Sequence, residues 1–160
     1  MAIHITSPDE LALLLGKAYT IEAEFERMVE WKMYMTFPEH LRDFLFQFAH
    51  DSEKHKQALT KLYEQFLNID IAKHVIKVDD ELLSISGLTE KQIVSKVLHY
   101  DSLALDLYTK LNEYTGETLL DEVFAFGKKE EFFETMSWLI KEEKRHVALL
   151  KEFLENIKNE

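Results

Sequence analysis

The seam Phe132, Met136, Leu139, Leu150, Phe153 and Ile157 constrains this chain more than any other pattern in it. Apolar residues four and three apart mark one face of a helix packed among others. Continued across its gap, the count lands on Glu143 and His146, inside Glu142-Glu143-Lys144-Arg145-His146. A carboxylate and an imidazole therefore occupy two successive core positions. A buried carboxylate without compensation is costly. A metal ion compensates it, and Glu-x-x-His sets both groups on one helix face, a turn apart, as a shared metal needs.

The rest of the chain is compatible with long helices. Only two prolines and four glycines interrupt 160 residues, which disfavours a fold of many turns. A length of this order suggests one domain with a sizeable core. There is no cysteine, which excludes disulfides, thiolate zinc sites, iron–sulfur clusters and a cysteine nucleophile. A formal charge of −11 argues against nucleic acid as a partner. The start Met1-Ala2-Ile3-His4-Ile5 has neither the charge nor the apolar run of a signal peptide, and no stretch is apolar enough to span a bilayer. A cytoplasmic protein with no membrane partner is the expectation.

In order, Ser7-Pro8-Asp9-Glu10 reads as a capped helix start, and the first helix is expected to run to about Met35. Its seam is Leu11, Leu15, Ala18, Glu22, Phe25 and Val29, with one acid, Glu22. Thr36-Phe37-Pro38-Glu39 repeats the start signal after a short connection, which implies an antiparallel neighbour running to about Leu67. Its seam is Leu41, Leu45, Phe48, Ser52, His55, Leu59, Leu62 and Phe66. Asp51, four residues before His55, borders that face. Asn68–Leu88 reads as a crossover with some extended character. Thr89-Glu90-Lys91-Gln92 is another capping box, opening a third helix to about Tyr114 with the seam Val94, Val97, Asp101, Ala104, Tyr108 and Leu111. Thr115-Gly116 breaks or kinks it. Thr118–Phe126 is a short extra helix or a continuation, and after Gly127 the fourth helix runs from about Lys128 to Asn156.

The two halves match. With His55 placed on His146, Asp51 falls on Glu142, Ser52 on Glu143, Leu59 on Leu150 and Leu62 on Phe153. With Glu22 placed on Asp101, Ala18 falls on Val97 and Phe25 on Ala104. Each half is a helix with one seam carboxylate followed by a helix with a seam histidine. The expected fold is all-α: two antiparallel helical hairpins joined by a long crossover into one four-helix bundle over residues 1–160.

On these residues the chain resembles the ferritin-like superfamily, in its rubrerythrin and bacterioferritin branches. Lys17–Phe25 looks like the first ligand helix, with Glu22 as a terminal carboxylate. Tyr100–Tyr108 looks like its partner, with Asp101 where a glutamate is usual. Glu143 and His146 match the second Glu-x-x-His, and His55 matches the histidine of the first. Ser52 stands where the family has a bridging glutamate, so Asp51 is a candidate to reach in from beside it. The resemblance implies two iron ions, with manganese as the alternative, held by Glu22, His55, Asp101, Glu143, His146 and Asp51. It implies oxidoreductase activity on oxygen, peroxide or ferrous iron. The chain lacks a cysteine-ligated rubredoxin-like domain, so electrons would come from an external donor. A metal-free bundle serving as an interaction or assembly module is the competing reading, and a metal store without turnover is the third. Tyr108 reads as a core tyrosine with a satisfied hydroxyl. The run Lys141–Arg145 reads as solvated apart from its seam position. Trp31 and Trp138 lie off the seams, where they would cover a flank or a homodimer contact.

Overall fold

A computed structural model describes residues 4–26, 36–66, 87–124 and 128–158. Those residues are all-α, as the seams predict. The helices are α1 (Pro8–Glu26), α2 (Glu39–Glu64), α3 (Glu90–Tyr114), α4 (Glu117–Val123) and α5 (Lys129–Lys158). Among the described residues extended pairing is confined to two isolated bridges, Ile5 with Thr115 and Phe66 with Phe124. The expected end of the first helix near Met35, the Asn68–Leu88 crossover up to residue 86, and Gly127 lie outside the described residues.

Local chemistry sets the helix starts. Ser7 Oγ accepts from the Glu10 N–H at 3.1 Å, while the Glu10 carboxylate reaches back to the Thr6 N–H at 3.2 Å, one residue earlier than a simple capping box. At α3 the box is complete: Thr89 Oγ1 accepts from the Gln92 N–H, and Gln92 Oε1 accepts from the Thr89 N–H. Thr89→Ala is expected to lower stability by about 1 kcal/mol, read from the urea unfolding midpoint. The α2 start differs from the Thr36 expectation. Pro38 is the cap residue and offers no side-chain acceptor; its carbonyl takes the Leu41 and Arg42 N–H groups at 3.0 Å. The residue before a proline is biased away from helical backbone, so the helix begins only after Pro38.

The core falls into two apolar clusters. One collects Leu11, Leu15 and Ala18 of α1, Leu59 and Leu62 of α2, Ala104, Tyr108 and Leu111 of α3, and Phe132, Met136 and Leu139 of α5. The other collects Phe25 of α1, Leu41, Leu45 and Phe48 of α2, Ile93, Val94 and Val97 of α3, and Leu150 of α5. The first half of α1 and of α5 thus shares a cluster with the last half of α2 and of α3. Residue pairs agree: the Tyr63 hydroxyl donates to the Leu15 carbonyl, whereas Lys56 pairs with Glu26, so α1 and α2 run antiparallel. Every described seam residue is buried except Phe153 and Ile157, which are half-buried. There α5 approaches its end, and Phe153 has Phe44 and His40 for ring neighbours.

α4 realises the short extra helix. Thr115 and Gly116 leave helical backbone, and Leu119, Leu120 and Val123 then turn into the first cluster. Phe124 follows, its ring 4.6 Å from that of Phe66. Among the described residues no helix is long and apolar enough to cross a membrane.

Candidate metal centre

Between the two apolar clusters lies a polar layer to which all four long helices contribute. Glu22 comes from α1, Ser52 and His55 from α2, Asp101 from α3, and Glu143 and His146 from α5. Each is buried to within 1% of full enclosure. The seams explain this: these positions continue the apolar count on their helices, so packing the apolar neighbours carries them inward.

Glu143 sits between the two imidazoles. Its Oε1 is 3.0 Å from His55 Nδ1 and its Oε2 is 3.7 Å from His146 Nδ1. Glu22 Oε1 lies 3.3 Å from the same His55 Nδ1, and Asp101 Oδ2 lies 3.6 Å from His146 Nδ1. The rings are 5.4 Å apart, tilted by 34°. His55, Glu143 and His146 can each offer an atom within 4.8 Å of the others. The five residues Glu22, His55, Asp101, Glu143 and His146 therefore meet at one level, with both Nδ1 atoms facing carboxylates.

Asp51 is placed otherwise than the ligand expectation. It does not turn into this layer. Its Oδ2 meets the outer nitrogen of His146, Nε2, at 2.9 Å, and accepts from Arg145 Nη2 at 2.8 Å. Gln47 Nε2 donates to its other oxygen at 3.2 Å. An acid on Nε2 holds the proton there and turns the Nδ1 lone pair inward. Glu142 is the counterpart on the other histidine: its Oε1 is 3.7 Å from His55 Nε2, and its Oε2 accepts from Arg145 Nε at 3.2 Å. Arg145 thus grips both outer acids at once. The expectation that Lys141–Arg145 is solvated holds at Lys141, Lys144 and Arg145, which are exposed, whereas Glu142 is half-buried against the His55 edge of the layer. The repeat held the signal, since it pairs Asp51 with Glu142.

Tyr108 is wholly buried and donates to Glu22 Oε1 at 2.8 Å, the satisfied core hydroxyl that its seam position suggested. Phe48 covers His146 at 4.5 Å, and Trp138, 40% exposed, meets the His55 ring edge-on at 5.4 Å. Off the site, His50 and His99 are exposed, and His40 pairs with Glu90 at 2.6 Å, a contact with no sequence spacing to announce it. His74, Trp31 and the methionines Met28, Met33 and Met35 lie outside the described residues.

Protons and charges in the layer are unevenly held. Burial and the neighbouring negative charge of Glu22 push the Glu143 carboxyl up to about 8. Burial, reinforced by Glu143, raises Asp101 well above the carboxylate range. Burial would likewise raise Glu22, but His55 and Tyr108 beside it hold it low. Burial disfavours a charged His55, yet Glu143 and Glu22 outweigh it and raise the imidazole to about 10. Asp51 is lowered: its burial is overcome by His146 and Arg145.

Hydrogen bonding is incomplete in one place in particular. Glu22 Oε2, Glu143 Oε2, Asp101 Oδ2, His146 Nδ1, His55 Nε2 and Ser52 Oγ are all buried without a hydrogen-bond partner, and Glu143 Oε1 has only its ion-pair contact with His55. Buried polar atoms are ordinarily satisfied. Apart from His55 Nε2, on the Glu142 side, and Ser52 Oγ, these are the atoms that face one another in the layer. They form a mixed oxygen and nitrogen donor set of the kind divalent first-row metals accept.

Comparison with protein-family models, curated proteins and solved structures finds no match to this chain.

Proposed function

We propose that this chain is a dinuclear metal protein on a ferritin-like four-helix bundle, built from the hairpins α1–α2 and α3–α5 with the Asn68–Leu88 segment crossing between them. Glu22 and His55 would hold one ion, Asp101 and His146 the other, and Glu143 would serve both. Iron is the first choice and manganese the second. The observation that carries this reading is the set of unbonded oxygens and nitrogens facing each other across Glu143 in a fully buried layer. Such an ion pair, when bound, supplies redox chemistry towards oxygen, peroxide or ferrous iron, with an external protein or small molecule as electron donor.

The chain's own groups have distinct tasks in this reading. Asp51 and Arg145 fix the His146 tautomer and its ring plane. Tyr108 pins Glu22 from the side of the first apolar cluster. The two clusters exclude water above and below, which strengthens every charge interaction between them. Trp138, on the flank, would lie at a homodimer contact or an electron-donor contact.

A metal-free interaction module is the alternative, and one observation favours it: His55 already pairs with both Glu22 and Glu143. Metal analysis of protein produced with iron or manganese supplied separates them. About two ions per chain are expected; a metal-free preparation under both regimes would leave the module. Consumption of peroxide or ferrous iron by the loaded protein then separates turnover from storage.

A further inference from the structure

The two halves of the repeat differ most at Ser52. It stands where the other half has Glu143, with Asp51 matched to Glu142 and His55 to His146. Serine is shorter than glutamate by a carboxylate and more. Its hydroxyl is also idle in a telling way. Three helical threonines bond the carbonyl one turn back: Thr20 to Gly16, Thr60 to Lys56, and Thr109 to Leu105, at 2.8–2.9 Å. Ser52 is 1% exposed, and its Oγ makes no such bond and no other. A buried donor without a partner costs stability. It lies one turn from His55 on the same buried face.

The charge balance points the same way. The layer holds three carboxylates, Glu22, Asp101 and Glu143, while Asp51 is matched by Arg145. Two divalent ions carry four positive charges, so three carboxylates leave one unmet. One monoanion with two oxygens is what the absent glutamate would have supplied. Phe48 on His146 and Trp138 against His55 flank the layer on either side. A cleft of about 320 Å³ between α2 and α5, lined by Lys54 and Lys61 and by Glu131 and Glu134, shares Trp138 with the His55 flank of the layer.

We propose that Ser52 makes the metal-loaded layer a receptor for a small exogenous monocarboxylate, of the size of formate or acetate, which takes the place of the glutamate missing at position 52 and accepts a hydrogen bond from Ser52 Oγ. The inference rests on the two-ion reading above and adds to it a ligand class and the residue that selects it.

The test uses the full chain loaded with cobalt(II), whose visible spectrum reports a change of ligand, titrated with sodium formate against sodium chloride at equal ionic strength. Wild type should show a saturable spectral change with formate and none with chloride. Ser52→Ala should bind formate about tenfold more weakly, the loss of one hydrogen bond to a charged group. Ser52→Glu should hold cobalt but lose the response, because its own carboxylate fills the position. Wild type that retains cobalt and ignores formate overturns the proposal alone, leaving the metal reading intact. Wild type that retains no cobalt overturns both. A Ser52→Ala protein that binds formate as wild type does overturns the role of the hydroxyl, independently of how the glutamate variant folds.

Discussion

Glu143→Leu should make the metal-free protein more stable and at the same time strip it of metal. The two effects have one origin. Glu143 is fully enclosed, and its negative neighbour Glu22 adds to the cost of burial, which is why its carboxyl is raised to about 8. Leucine is close in size and removes that cost. Neither histidine is abandoned by the change: His55 keeps Glu22 at 3.3 Å, and His146 keeps Asp51 at 2.9 Å. Replacing a whole buried ion pair by apolar groups of similar volume commonly stabilises by about 1–4 kcal/mol; here only Glu143 is replaced and Glu22 still offsets His55, so the gain is expected at the low end of that range. For a chain of this length each kcal/mol moves the melting midpoint by about 2–4 °C. Metal affinity should fall by about 100-fold or more, since loss of a group merely supporting a ligand already costs about 10- to 100-fold. Calorimetric melts with chelator, set beside metal titrations, check both. A leucine variant that melts lower and keeps its metal would mean that Glu143 is structural.

Raising the pH should destabilise the metal-free protein and not the loaded one. His55 is raised from its ordinary 6.5 to about 10, and Glu143 from 4.5 to about 8. Asp101 moves in the same direction; Glu22 moves the other way, but its effect is confined to acid. A raised group holds its proton in the fold after the unfolded chain has released it. Between the unfolded and folded values the native state therefore binds more protons, and stability falls as pH rises. For Glu143 that fall spans 4.5 to about 8, and for His55 it spans 6.5 to about 10. Each retained proton contributes a slope of about 1.4 kcal/mol per pH unit inside its window. Metal displaces the same protons, so the loaded protein should gain stability where the metal-free one loses it. Urea midpoints at about pH 6 and about pH 9, with chelator and with metal, give the two slopes. A metal-free protein equally stable at both would show that the layer retains no protons.

The seams made the layer legible in the sequence because burial follows from spacing. Glu22, His55, Asp101, Glu143 and His146 fall on a count that their apolar neighbours enforce, and a side chain on that count has no route to solvent. The same argument could place Asp51 beside the seam but could not fix which way Asp51, Glu142 or Arg145 would turn. Those side chains leave the helix beside the seam, where the partners within reach rather than the spacing decide which way they turn. Asp51 is the instructive case. Its position next to an absent ligand suggested that it would stand in, but Arg145 and the outer nitrogen of His146 engage it at 2.8 and 2.9 Å on the side away from the layer. The pairing of His40 with Glu90 was invisible for a different reason: it joins two helices across fifty residues, and nothing local marks it.

The layer has one more consequence, for alignment. Apolar seams of repeating leucine and phenylalanine would pack almost as well if one helix slid along its neighbours by a turn. Here a slide of about 5.4 Å carries His55 to the level that Ser52 or Leu59 held, and pulls Glu22 or Asp101 away from the imidazole that offsets it. The misaligned chain would bury a charge among hydrocarbon and leave its partner alone. A single polar stratum thus acts as a notch that admits one relative setting of four rods, and it does so before any ion arrives.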